Sequence, residues 1–480
     1  MPVTGTAYVS EEELLAKKTA ASKLSILRHV CLMIIESLVI GSIVAFFFWL
    51  LLYIPQSDDP NDYGHPVFLN LYGFTVHTSL VFIFSMLALP NLYYHSMYKM
   101  DLDLTIKIAV RSQIPLALIL ILFVWILSLI KSGIYYYYYW LSFVFVVGIG
   151  FNFWAIGYHV RRQMLYKSRL PIEAVGFWRN MLFPISTAVV MVVVYGIGVS
   201  RIYFQSNMVL RFVIRIVIHP IIFESLMTIQ RRMVFQYRLT HATNLSTLLL
   251  PTQFVGAFFG RLWVFSVMDV STPVDSWSSI QNPLLMSLGI AIEEFVCRIT
   301  LYNRQNIWYF IKRKKQSTNV YLYEEEARKS SHEYERDMII KTAFMNTEQT
   351  VEFTTIYLQP LLLLIFWRSR ETFDLGWQNI YVSPDTNRLV ILTVIQFALE
   401  FIVNNIVTNH EEKQERRVVE LWKPQRRRKS IGIFLFTFFT LTYLILFMRT
   451  SLPVVFYCSS WNVCKCHPVY LMFHNYCSTR

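Results

Sequence analysis

Two adjacent glutamates, Glu293 and Glu294, interrupt the apolar run PLLMSLGIAIEEFVCRITLY, which is about as long as a bilayer is thick. A charge at mid-bilayer costs about 2.5–3.5 kcal/mol on insertion scales, so ionisable residues inside such runs are retained for a reason. The chain holds several more. The acids are Glu36, Glu224 and Glu400, and the bases are Arg211, Arg215, Arg261 and Arg298, with His77 and His219 also titratable. Side chains of these types at membrane depth handle protons, ions or charged headgroups, or they neutralise one another.

Spacing sorts the set. Neighbouring helix positions differ by about 100°, so Glu293 and Glu294 project in different directions. Glu294 and Arg298 stand at i and i+4 with the acid first, the better order for an in-helix ion pair. Glu293 has only Cys297 four residues on, so it needs a partner on another helix, a proton, or water. Thr393, Gln396, Glu400, Asn404 and Thr408 recur at steps of three and four, which makes one polar stripe on one helix face. Such a stripe is either an interhelical hydrogen-bond seam or the wall of a polar cavity. Arg211, Arg215 and His219 are spaced by four and followed by Pro220, which removes a backbone donor and should distort the helix there. The two arginines form a basic stripe that faces an anion or headgroup, or snorkels to the interface.

The elements that position these residues are apolar runs. Apolar residues make up 55% of the 480, charged residues only 16%, against roughly 25% charged in soluble domains. Mean hydropathy is +0.41. Runs of about 20 apolar residues mark helices that cross a membrane. They fall at 29–54, 67–90, 113–130, 135–158, 181–200, 207–228, 245–268, 283–302, 351–367, 389–408 and 431–452. The expected fold is all-α, a polytopic transmembrane helix bundle of about 11 spans. A cytoplasmic segment 1–28 precedes spans one to eight (29–302). A charged cytoplasmic loop 303–350 leads to spans nine to eleven (351–452), and an outward tail covers 453–480. The polar start of the chain, with no apolar core before residue 29, makes the first span an uncleaved anchor.

Lysine and arginine set the orientation. With the N-terminus cytoplasmic and the C-terminus outside, inner segments hold 32 of the 44, outer segments 7, and the remaining 5 lie within spans. That bias follows the positive-inside rule and explains the net charge of +13 without nucleic acid as a partner. Membrane lipids are the expected partners of the basic blocks KRKK (312–315) and RRRK (426–429). On the same logic Arg211, Arg215 and Arg261 sit in the outer halves of their spans and the acids at the middle or in the inner halves. The arginines are therefore expected to look for partners other than those glutamates, in outer loops, lipid phosphates or a ligand.

Four of the six cysteines, Cys458, Cys464, Cys466 and Cys477, lie in the outward tail. An even number in a short segment on the oxidising side favours disulfides, with three possible pairings. A metal site built from the CKCHP stretch with His467 or His474 is the alternative, although no standard zinc spacing is present. Cys31 and Cys297 read as small packing residues. No Gly-rich phosphate loop, serine triad, zinc helix or haem motif occurs, so no cofactor is implied.

Two classes of function fit. In the first, the sixth, eighth and tenth spans build the polar centre of a transporter or permeation protein. Glu293, Glu400, Gln396, Asn404, His219, Arg211, Arg215 and Arg261 are then the candidate substrate- or ion-binding groups, and Glu294–Arg298 is a structural pair. In the second, Asp58 and Asp59 in the stretch SDDPND follow the first span on the outer face. A polytopic chain with an acidic pair in its first outer loop resembles multi-spanning glycosyltransferases that use lipid-linked donors, and the resemblance implies a transferase acting on a lipid or lipid-linked group. A non-catalytic receptor or scaffold is the remaining class.

The topology is testable directly. Single cysteines introduced at Ser57, Ser276 and Ser459 should react with an impermeant maleimide on intact cells, and one at Ser317 only after permeabilisation. The opposite pattern at Ser317 and Ser459 would reverse the orientation.

Overall fold

The structure is a computed structural model. It describes residues 23–52, 102–129, 206–234, 246–265, 278–316, 323–368 and 386–413 continuously, with short pieces at 91, 150–152, 154–159, 162, 199, 202–203, 418–422, 431 and 433. The described residues are helical almost throughout and contain no strand. The main elements are α1 (Lys23–Leu52), α2 (Leu102–Ile108), α3 (Ile114–Leu129), α4 (Met208–Val213), α5 (His219–Val234) and α6 (Leu250–Phe265). Then come α7 (Ser278–Gln316), α8 (Tyr323–Arg368) and α9 (Thr386–Lys413).

Two π-helical turns join neighbours in this series: Ala109–Gln113 between α2 and α3, and Ile214–Ile218 between α4 and α5. Each closes with an amide bonded five residues back, Ile114 to the Ala109 carbonyl and His219 to the Ile214 carbonyl. In both cases the next residue is proline, Pro115 or Pro220, which has no N–H to continue the ladder. The irregularity expected at His219 thus takes the form of a widened turn. Asn207 starts α4, its side chain accepting from the Leu210 amide at 2.9 Å.

Two helices present apolar faces outward and polar faces inward. On α9, Val390, Val394, Ile402 and Ile406 are exposed while Arg388, Gln396, Glu400, Asn404, Thr408 and Glu411 are buried. On α7, Leu285, Leu288, Ile292 and Val296 face out while Ser287, Glu294 and Arg298 face in. Water would favour the reverse arrangement, and a contiguous apolar exterior marks a surface that meets something other than water. Four stretches, Lys23–Phe46, Thr105–Phe123, Met208–Arg231 and Thr386–Lys413, are long and apolar enough to cross a membrane. These are the features of a membrane protein.

Two helices outrun the apolar segments that announce them. α7 has 39 residues and α8 has 46, about 58 and 69 Å of rise, well beyond a hydrocarbon core of about 30 Å. The boundary placed at residue 350 from hydropathy falls inside α8, and Ile340, Ala343, Phe344 and Asn346 before it are already buried. α8 continues as one helix through Pro360. It packs most extensively on α1 and α6, while α9 packs on α7, α8 and α1.

Side chain-to-backbone bonds pin these contacts. Gln253 and Gln359 donate to the carbonyls of Phe344 and Phe258 at 3.0 and 3.1 Å, tying α6 to α8 from both sides. Ser37 donates to the Thr350 carbonyl at 3.0 Å, and Ser42 shares a bond with the Tyr357 hydroxyl at 3.1 Å, so α1 is held to α8 over two turns. Gly41 lies between them. A Cβ there would stand 2.8 Å from the Tyr357 ring, so only glycine permits this approach. Gly41→Val should lower the melting temperature of the purified protein, by the equivalent of about 1–3 kcal/mol for overpacking. Adding Tyr357→Ala should restore part of it, whereas equal melting of Gly41→Val and wild type would show that α1 and α8 do not meet at this point.

Candidate functional site

Seven of the eleven ionisable residues singled out in the apolar runs converge on one place. A cavity of about 80 Å³ opens among the α4–α5 turn, α5, α6, α7 and α8, and Arg215, His219, Glu224, Arg231, Arg261, Glu293, Glu294, Arg298, Glu348 and Glu352 all line it. One water needs roughly 10–15 Å³ of such space, so several waters or a small ion fit and a large organic substrate does not.

The arginines find their partners on neighbouring helices. Arg261 of α6 makes a direct ion pair with Glu400 of α9, both essentially buried. Arg298 of α7 donates to Glu411 at 3.1 Å and to Asn404, and stands 3.5 Å from Glu294. The amide oxygen of Gln349 also meets this guanidinium in the orientation that satisfies both groups. Arg215 approaches Glu293 at 4.0 Å and donates from Nε to the Gly260 carbonyl at 3.1 Å. Arg231 lies 3.7 Å from Glu224 on the same helix. The expectation that the arginines stand too far from the membrane acids is therefore overturned for Arg215 and Arg261. Depth reckoned along one helix does not measure distance to another, and a guanidinium on a long side chain bridges the difference.

The remaining sequence candidates separate. His219 lines the cavity with its ring edge-on to Trp263 at 5.3 Å. Gln396, Glu400 and Asn404 are buried between helices, the stripe being continued by Thr408 and Glu411. Of that stripe none lines the cavity, which makes it a seam behind the cavity wall. Asn404 also donates to the Glu400 carbonyl at 2.9 Å. Arg211 is elsewhere: its Nε donates to the Ser206 carbonyl at 3.0 Å and its guanidinium lies over the Tyr203 ring. Cys297 donates to Glu293 at 3.6 Å. Asp58, Asp59, His77, Cys458, Cys464, Cys466 and Cys477 lie outside the described residues.

Glu348 and Glu352 of α8 escape a hydropathy reading, because Glu348 sits in what looks like a charged loop and Glu352 at the edge of a short apolar run. Their signal is the one that exposes α9. Thr342, Asn346, Gln349, Thr350, Thr354 and Gln359 are all buried polar residues around them, many at helical spacing. Glu348 lines the cavity together with Glu224 and Arg231. On the far side of the cavity the carboxylates of Glu294, Glu352 and Glu400 come together, one oxygen from each within 4.8 Å of the others.

Comparison of the chain with protein-family models, curated proteins and solved structures finds no match.

The pairing pattern predicts unequal fragility. Glu400→Gln strands a buried guanidinium at Arg261, and breaking a buried pair on one side typically costs about 3–5 kcal/mol. Glu294→Gln leaves Arg298 with Glu411 and Asn404, so its melting temperature should fall much less. Arg261→Met with Glu400→Met should recover much of the loss in either single variant. Thermal unfolding of the set in detergent decides this, and a tolerant Glu400→Gln would remove the Arg261 pair from the list of structural supports.

Proposed function

We propose that this is a multi-pass permeation or transport protein whose solute is small and ionic, and that its path passes through the cavity at Glu293. The reading takes the chain as a bundle of about eleven spans, N-terminus inside and C-terminus outside, surrounded by lipid. One observation carries it. Acidic and basic side chains from several helices face a water-sized cavity, while the outward faces of α7 and α9 are apolar. Intramembrane acids that face a bundle interior are the expected hardware of such pathways.

Within the cavity the residues divide the work by pairing strength. Arg261 and Arg298 are held by short contacts to Glu400 and Glu411 and act as fixed charges. Glu293 is held loosely, 4.0 Å from Arg215, and is only partly buried. It is the group best placed to exchange an ion or a proton with the cavity.

The test uses purified full-length protein in liposomes. Flux of H⁺, Na⁺, K⁺, Ca²⁺ and Cl⁻ is followed with indicator dyes, alongside modification of Glu293 by dicyclohexylcarbodiimide. At least one ion should move faster than in empty liposomes. Glu293→Gln should reduce that flux several-fold. Absence of flux for every ion, with Glu293 unreactive, would sink the permeation reading.

A further inference from the structure

We propose that Glu294, Glu352 and Glu400 form a binding site for one calcium-sized divalent cation at the wall of the cavity. The inference deepens the permeation reading by naming the class of ion the centre receives.

Geometry comes first. Calcium is bound by oxygens at 2.3–2.6 Å, so ligands on opposite sides of the ion stand up to about 5 Å apart. The three carboxylate oxygens, all within 4.8 Å of one another, are close enough for one such ion to be shared among them. Magnesium, at 2.0–2.1 Å and near-octahedral, would need them closer. The three ligands come from α7, α8 and α9, so the site exists only in the assembled bundle.

Open ligand positions are a second observation. Glu400 uses one oxygen on Arg261 and its other oxygen, Oε2, is buried with no hydrogen-bond partner. Glu294 likewise has Oε2 buried and unused. Gln396 is 1% exposed and neither its amide oxygen nor its amide nitrogen is satisfied. It stands one turn before Glu400 on the same face of α9, so its side chain leaves the helix on the side that carries the cluster. A buried amide with no partner costs free energy, and a cation ligated by its oxygen removes that cost.

Charge points the same way. Glu294 and Glu352 stand beside Glu400, whose carboxylate already makes the ion pair with Arg261. Carboxyls this close in a low-dielectric interior either hold protons or share a cation. One divalent cation would answer all three. Glu294 and Glu352 line the cavity, so the ion has an entry and the cavity supplies water for the rest of the six to eight positions calcium takes. The two nearby guanidiniums weaken the field, and exchangeable rather than permanent binding follows.

Radioactive calcium binding to the full-length protein in nanodiscs tests this, from about 10 µM to about 5 mM, bracketing sensor-type and extracellular-type sites. The expected result is one saturable site per chain, weakened about tenfold or more by Glu352→Gln and by Gln396→Ala, and unchanged by Asp103→Asn, an exposed acid on α2. Should Glu352→Gln fail to fold, Gln396→Ala and the calcium-dependent rise in wild-type melting temperature carry the test. No saturable binding, or wild-type binding in both variants, overturns the proposal. So does a cluster that infrared spectroscopy shows as protonated carboxyls insensitive to calcium. The site and the permeation reading fail separately: binding without flux keeps the site and removes the path, while flux with no calcium site does the reverse.

Discussion

The contact between Arg261 and Glu400 governs how α6 and α9 can be placed. Each is a charge buried among helices, and in a medium of low dielectric neither is tolerated without the other. Once that pair is made, α6 must face the polar stripe of α9, and the four helices around the cavity follow. Arg298 repeats the constraint one level along α9, reaching Asn404 and Glu411 from α7. The stripe is thus a ladder on which two helices are registered by charge rather than by shape. Apolar packing fills the rest, as in the cluster of Tyr203, Trp263, Ile290 and Leu392, where Tyr203 stacks on Trp263 at 4.8 Å and donates to its carbonyl at 2.8 Å. In lipid, where apolar contact between helices has little advantage over contact with acyl chains, polar registration of this kind carries more of the specificity.

Much of this was legible in the residues themselves. The all-α class and the membrane setting follow from apolar runs and the scarcity of charge. The importance of Glu293, Glu294, Arg298 and Glu400 follows from the cost of placing them in such runs. The α9 stripe was readable because five polar residues share one helix face. What sequence alone could not supply was partnership between helices. Arg261 and Glu400 are 139 positions apart, and nothing local to either says that they touch. Placing the arginines by depth along their own spans put them in the wrong relation to the acids, because spans were treated as equal rods with aligned ends.

Glu348, Glu352 and Arg231 show a second limit. Hydropathy locates a span by its apolar core, so polar residues at the end of a long helix are assigned to the loop beyond it. α8 carries so many threonines, asparagines and glutamines in its buried part that its mean hydropathy is unremarkable, although Ile340, Ala343, Val351 and Phe353 are fully packed. A helix that is polar inside and shielded by other helices has no need of an apolar run. Reading α8 for a repeating polar face, as for α9, brings out Gln349 and Gln359 beside the two glutamates.

Stability by itself does not account for such a centre. A buried ion pair replaced by well-packed apolar residues is often neutral or stabilising, so a fold selected only to persist would lose its internal charges. Here they remain. Arg261 and Arg298 could have been matched by Glu400 and Glu411 alone, which already give each guanidinium a carboxylate. Glu294 and Glu352 add two more carboxyls at the wall of a cavity that acids and bases line together. Extra buried acids raise the energy of the empty site and lower that of a site holding positive charge. On the permeation reading that positive charge is a proton or a cation admitted by the cavity, and the arginines limit how tightly it is held.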